Sequence, residues 1–205
     1  MEPIRDTRSL LCGLLMLALG AGAAAAAAAS PDSGARLYRD CAACHGADGG
    51  GVADGSVPAI GGQPAAVIVS ALRDFRAARR TDLRMQHFSD PQHLATDADI
   101  AAVAAHVAGL QRTTPAGTGD AAMTAQGAVL YARRCAACHG AEASASALPP
   151  RPALAGQHAA YVARKMRDGG ITDEQARRHA SLTKQIGADG IAAIADWLSR
   201  LPPPP

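Results

Sequence analysis

Apolar positions recur with a helical period at several places along this 205-residue chain. Ile100, Val103, Ala104 and Val107 follow an i, i+3, i+4, i+7 spacing, and Ile191, Ile194, Ala195 and Leu198 repeat it. Each stripe predicts one face of an amphipathic helix turned toward a core. Ahead of the first stripe, Thr96-Asp97-Ala98-Asp99 has the form of a capping box, a threonine followed three residues later by an acid that can reach back to its backbone. Helices are also predicted from Gly34 through Tyr38 and from Gly127 through Tyr131, with Leu37 and Leu130 facing inward. Two more are expected over Pro64–Ala77 and His158–Asp168, with Pro64 at the first helical position, where a missing N–H costs nothing. The surroundings are rich in alanine and lack runs of β-branched residues, so the pattern predicts an all-α fold.

The pattern also marks what lies outside the helices. Arg5 and Arg8 precede the apolar run Leu10–Leu19 and an alanine tract that ends at Ala29, before Ser30-Pro31. This reads as a secretory signal over residues 1–29 with a small-residue cleavage site. The alternative is an uncleaved anchor, because Leu10–Ala29 has the roughly 20 residues a span requires. Between Gln111 and Met123 there is no apolar period, and Pro115, Gly117 and Gly119 punctuate the stretch. Residues 113–123 are therefore a linker between units at 30–112 and 124–202. The closing Pro202–Pro205 stops the last helix and is expected to fray.

The strongest chemical signal is a pentapeptide, Cys-Ala-Ala-Cys-His, present as Cys41–His45 and again as Cys135–His139. Cys41 and Cys44, or Cys135 and Cys138, can both reach the vinyl groups of one porphyrin, while the adjacent histidine is delivered to the iron. C-x-x-C-H is an attachment site for c-type haem. A thioredoxin-like redox pair would need a βαβ context, and a zinc ribbon would hold its two halves about 15–20 residues apart. Neither fits. The expected cofactors are two covalently attached haem c groups with His45 and His139 as proximal iron ligands. Cys12 lies in the signal, so every other cysteine is used by haem. Each half is small for a self-sufficient core and aromatic residues are only 3% of the chain, so a covalently held porphyrin also supplies the staple such scaffolds need.

The second motif lies 94 positions after the first, and the same register continues downstream: Pro58-Ala-Ile-Gly-Gly-Gln63 corresponds to Pro152-Ala-Leu-Ala-Gly-Gln157. The helix before the second motif carries one extra residue. Sixth iron ligands have to come from downstream of the motifs. In the first half Met85, His87 and His93 are the candidates, with Met85 preferred in a loop after the second helix. In the second half Met166 falls inside a helix, where it should pack, whereas His179 occupies the position of Met85 in the shared register. His179 is the expected ligand, with Met166 or an open iron as alternatives. A thioether raises the iron potential, so a second imidazole would make the two haems unequal. Trp197 takes the place of His106 and is read as a packing aromatic.

On GARLYRDCAACHGADG, VPAIGGQ and RRTDLRM in the first half, and GAVLYARRCAACHGA, PALAGQ and ARRH in the second, the chain resembles the diheme cytochrome c4 family. The resemblance implies two tandem class I cytochrome c domains. It also implies that the carbonyls of Pro58 and Pro152 orient the proximal imidazoles as partners behind the metal ligand do elsewhere. The implied role is a periplasmic carrier of single electrons between dehydrogenase or respiratory partners and a terminal acceptor, with exchange between the haems. His179 departs from the family's methionine pattern. The alternatives are a diheme redox enzyme, peroxidase-like or thiosulfate-oxidising, and the cytochrome subunit of a larger dehydrogenase. An enzyme needs an open iron and acid or base groups beside it. The net charge is only +2, with the second half more basic than the first. This fits transient redox protein partners and possible peripheral contact with the inner membrane, and carries no nucleic-acid footprint.

Overall fold

A computed structural model describes residues 31–144, 151–168 and 173–205. The expected signal segment lies outside the described residues. The described part is helical: α1 (Pro31–His45), α2 (Ala65–Arg76), α3 (Leu83–Phe88), α4 (Asp97–Ala108), a short 3₁₀ turn (Ala121–Met123), α5 (Thr124–Arg134), α6 (Ala136–His139), α7 (Ala159–Asp168) and α8 (Asp173–Arg200). In the first half α1 crosses α4 with α2 alongside, and in the second α5 crosses α8 with α7 alongside. The two crossings depend on the matching glycines. A Cβ on Gly34 would fall 2.4 Å from the Ala102 carbonyl oxygen, and one on Gly127 would fall 2.0 Å from that of Ala193.

The predicted stripes form the two cores. Ile100, Val103 and Val107 pack with Tyr38, Leu72 and Leu94; Ile194, Ala195 and Leu198 pack with Tyr131, Ala155 and Val162. Leu37 and Leu130 lie against their respective cores as expected. Thr96 and Asp99 complete the capping box. Trp197 stacks on Tyr131 at 4.6 Å, and His106 holds the same relation to Tyr38 at 5.2 Å. Each tyrosine hydroxyl donates to the carbonyl of the glycine that follows the motif, Gly46 at 2.8 Å and Gly140 at 2.7 Å. Both glycines have φ near +78°, the left-handed conformation that ends a helix right after its histidine.

Four expectations are corrected. Pro64 is the residue before the first helical position of α2, with extended backbone. Met85 lies in a short helix, α3, because Asp82 caps it by accepting from the N–H groups of Arg84 and Met85. The segment after Gln111 is docked along its length. The Asp48 carboxylate accepts from the N–H groups of Thr113 and Thr114 at 2.8 and 2.7 Å, and Gly119 N–H donates to the fully buried Asp196 at 3.0 Å. Burial would raise the Asp48 pKa, but the hydrogen bonds from Thr114, Thr113 and Gly50 outweigh it and hold the carboxyl well below its usual range. Finally, the proline tail packs: Pro204 lies over Gly62 and Pro203 over Gly156. Both glycines have positive φ and lack the Cβ that would stand in the way. α8 also breaks at Gly187, whose φ of 71° is not helical.

The halves meet through a reciprocal clasp. The Gln157 side chain accepts from Ala59 N–H at 3.0 Å and donates to the Ala59 carbonyl at 2.8 Å; Gln63 makes the same pair with Ala153 at 3.0 and 2.8 Å. Both glutamines are buried, 5% and 6% exposed. Arg112 adds donor bonds to the carbonyls of Ala155 and Gly156. Replacing Gln157 by Ala would leave three buried backbone groups unpaired, the Ala59 N–H and carbonyl and the His158 N–H, so we expect Gln157→Ala to lose about 1–3 kcal/mol per orphaned group, read from denaturant unfolding of the haem-loaded protein.

His158 seats the linker on both halves. It is fully buried; its Nδ1 accepts from Gly117 N–H at 2.9 Å and its Nε2 donates to the Gly50 carbonyl at 2.8 Å. That pairing requires the neutral ring, since a second ring proton would face the Gly117 donor. Burial lowers its pKa below the ordinary 6.5 against the opposing Gly50 bond. The folded state therefore binds fewer protons than the unfolded one. The contribution of His158 is complete above pH 6.5 and declines as pH falls below it toward the lowered value. Thermal melts should show this decline in the wild type and less of it in His158→Gln.

Candidate haem-attachment sites

In the first half the attachment residues occupy the last turn of α1. Cys41 and Cys44 are three positions apart on one helix and are not joined in a disulfide. Burial, then the neighbouring Asp40, raises the Cys41 pKa to about 11, which keeps the thiol protonated at neutral pH. His45 is buried, 6% exposed. Its Nδ1 lies 3.0 Å from the Pro58 carbonyl and donates to it. This bond fixes the tautomer and leaves Nε2 with a free lone pair, the form that binds iron. Burial lowers the His45 pKa, with the Pro58 bond opposing and the Arg84 charge adding to the fall.

The charges of Arg84 and Asp82 act on His45, and that of Cys44 acts on Arg84, so the start of α3 lies beside the motif. From there Met85 packs against the first core. α3 is anchored by its Asp82 cap and by Gln86, whose side chain donates to the Arg80 carbonyl at 2.9 Å. His87 and His93 face each other instead, with ring centroids 4.4 Å apart.

The second site uses the same residue types on a different backbone. The extra residue before Cys135 is absorbed by a break between α5 and α6, where Cys135 has φ −118° and ψ −36°. Cys135 and Cys138 are likewise not in a disulfide, and burial followed by the Cys138 charge raises Cys135 to about 11. The Pro152 carbonyl does not take up the role that the resemblance implied for it. His139 Nδ1 is buried without a partner, whereas His45 has Pro58. The bonds that fold the first loop back onto its histidine, Gly51 N–H to the His45 carbonyl and Val52 N–H to the Val57 carbonyl, correspond mainly to residues 145–150, outside the described ones. Burial, then His179 and Arg151, lowers His139 to about 4.

Facing His139 is His179 on α8. Their ring centroids are 6.3 Å apart and tilted by 42°. Two metal–nitrogen bonds of about 2 Å, plus half a ring on each side, give a separation of this size. The turn that carries His179 is tied to α7, because the Thr183 hydroxyl bridges the carbonyls of His179 and Met166 at 2.7 and 2.9 Å. Met166 itself packs against the second core. The two unpaired cysteines beside a histidine at each motif, with Nδ1 of His45 already engaged by Pro58 and its Nε2 left free, fit a porphyrin. Gln63, Gln157, Asp48 and His158 were not singled out in the sequence as positioning residues; only the repeated Gln at a shared register could have flagged the first two.

Comparison with known proteins agrees with this geometry. The family model described as cytochrome c matches residues 31–111, and that of cytochrome c oxidase, cbb3-type, subunit III matches 122–198. Cytochrome c4 of Pseudomonas aeruginosa is 30% identical over 199 residues, covering 91% of this chain and 96% of the relative. A protein named thiosulfate dehydrogenase electron acceptor from Stutzerimonas stutzeri is 29% identical, with 78% of each chain covered. The crystal structure of reduced recombinant cytochrome c4 from Pseudomonas stutzeri superposes with a TM-score of 0.71 at 26% identity, over 83% of this chain and 98% of that one. Two tandem cytochrome c domains and two CAACH motifs, at 41–45 and 135–139, carry two covalent haem c groups. The chain belongs to the cytochrome c4 family of diheme electron-transfer cytochromes.

Proposed function

We propose that this cytochrome carries single electrons in the periplasm between dehydrogenase or respiratory donors and a terminal acceptor, without a substrate of its own. Haem supplies one-electron iron chemistry in each half. The chain's task is to close both faces of each iron and to exclude water: His45 and Met85 on the first, His139 and His179 on the second. The observation that carries this reading is the pair His139 and His179, 6.3 Å apart. It supports a second iron with both axial positions taken by the chain, whereas an enzyme keeps one open. Export to the periplasm rests on the reading of residues 1–29 as a signal. Among the described residues no helix is long and apolar enough to cross a membrane.

Unequal ligation gives the carrier a direction. A thioether raises the potential of a haem relative to an imidazole, so the first haem holds electrons more tightly than the second. The similarity to a thiosulfate dehydrogenase electron acceptor favours a second reading, in which the donor is a thiosulfate-oxidising enzyme. Reduction by thiosulfate only when such an enzyme is added would support it; reduction by thiosulfate alone would favour enzymatic activity in this chain.

Spectroscopy separates the ligand sets. EPR and near-infrared magnetic circular dichroism of the oxidised protein should give one His/Met and one bis-His low-spin haem. Two methionine charge-transfer bands would overturn the assignment of His179. His179→Ala should turn only the second haem high-spin and let it bind carbon monoxide, and Met85→Ala should do the same to the first.

A further inference from the structure

The two histidines set aside as iron ligands in the first half face one another across Asp90. We infer that His87, Asp90 and His93 form a mononuclear site for a divalent transition-metal ion of the zinc type, apart from either haem. One donor atom from each residue lies within 4.8 Å of the other two. His93 Nδ1 is 3.1 Å from Asp90 Oδ1. His87 Nδ1 stands 3.9 Å from Asp90 Oδ2, too far for a hydrogen bond and within reach of two atoms sharing one ion at about 2.0–2.2 Å each. Two imidazoles and a carboxylate are a donor set that suits Zn²⁺ and neighbouring borderline ions rather than Mg²⁺ or Ca²⁺.

The site is held in shape by groups that do not themselves bind metal. Asp90 Oδ1 accepts from the N–H groups of Gln92 at 2.8 Å and His93 at 3.2 Å, which leaves Oδ2 turned toward His87. Arg76 donates to the carbonyls of Ser89 and Leu94 at either end of the loop. The Phe88 ring lies edge-on to both imidazoles, at 5.1 and 5.2 Å. The His87 side chain is 60% exposed, so a fourth position is open to water. An ion held here joins the last turn of α3 to the loop that follows it. It therefore stabilises the folded first half increasingly as the free ion rises above its dissociation constant.

The test uses the full protein with both haems in place. ZnSO₄ is titrated by calorimetry in a non-coordinating buffer, and melting is followed in parallel. We expect one saturable ion per chain and a rise in melting temperature with added Zn²⁺. His87→Ala removes an exposed side chain and should weaken binding at least about tenfold, the scale on which even indirect metal partners matter. His93→Ala should do the same, and haem absorbance should remain that of the parent. Absence of saturable binding in the parent, or equal binding in His87→Ala and His93→Ala, overturns the site. A changed haem spectrum in His87→Ala also overturns it, since His87 would then serve the iron.

Discussion

The reciprocal clasp between Gln63 and Ala153 and between Gln157 and Ala59 is the interaction on which the arrangement of the halves depends. Each glutamine amide satisfies both the donor and the acceptor of one buried peptide, so neither side chain can withdraw without stranding backbone groups. Ala59 directly follows Pro58, whose carbonyl holds the His45 ring. One short stretch of backbone therefore carries both the domain interface and the orientation of a proximal ligand. A disturbance at the seam is felt at the His45 ring through two adjacent residues. Such joint use is possible because the chain is a duplication: two copies of one segment in one register meet around an approximate two-fold relation, and each offers the other the same pair of groups.

Linker and tail reinforce the clasp instead of merely connecting or ending the halves. Asp48 and His158 hold residues 113–117 from opposite halves, and Arg112 reaches the carbonyls beside Gln157. The interface is built largely from backbone groups paired with a few buried polar side chains, not from a large apolar patch. Polar networks of this kind specify one arrangement strongly when every member is paired. They hold the two small domains in one arrangement.

Much of this was legible in the sequence, and the rest was hidden for physical reasons. The stripes at Ile100–Val107 and Ile191–Leu198, the capping box at Thr96 and the helices leading into both motifs followed from local periodicity and the repeat, whereas the close crossings at Gly34 and Gly127 did not. The CAACH motifs followed from spacing alone. The docking of residues 113–119 was not readable, because Pro115, Gly117 and Gly119 look like an unstructured linker and their partners, Asp48, His158 and Asp196, are distant in sequence. The tail was misread for the same reason: Pro203 and Pro204 find Gly62 and Gly156 only once the halves are assembled. Pro152 is not the partner of His139 Nδ1, because a register of 94 predicts which residue is equivalent, not which contacts it makes.

The duplication also shows where difference is tolerated. Positions that serve both halves at once, Gln63 with Gln157 and Ala59 with Ala153, are identical in the two copies, since a change in either would break a shared bond. Some positions that serve one half alone have diverged. The extra residue before Cys135 is taken up by the break between α5 and α6, and His106 is replaced by Trp197 against an unchanged tyrosine. The exchange of Met85 for His179 in the shared register belongs to this second group, Met85 packing against the first core and His179 facing His139. The scaffold can therefore vary the side chains beside each motif without touching the contacts that keep the two halves together.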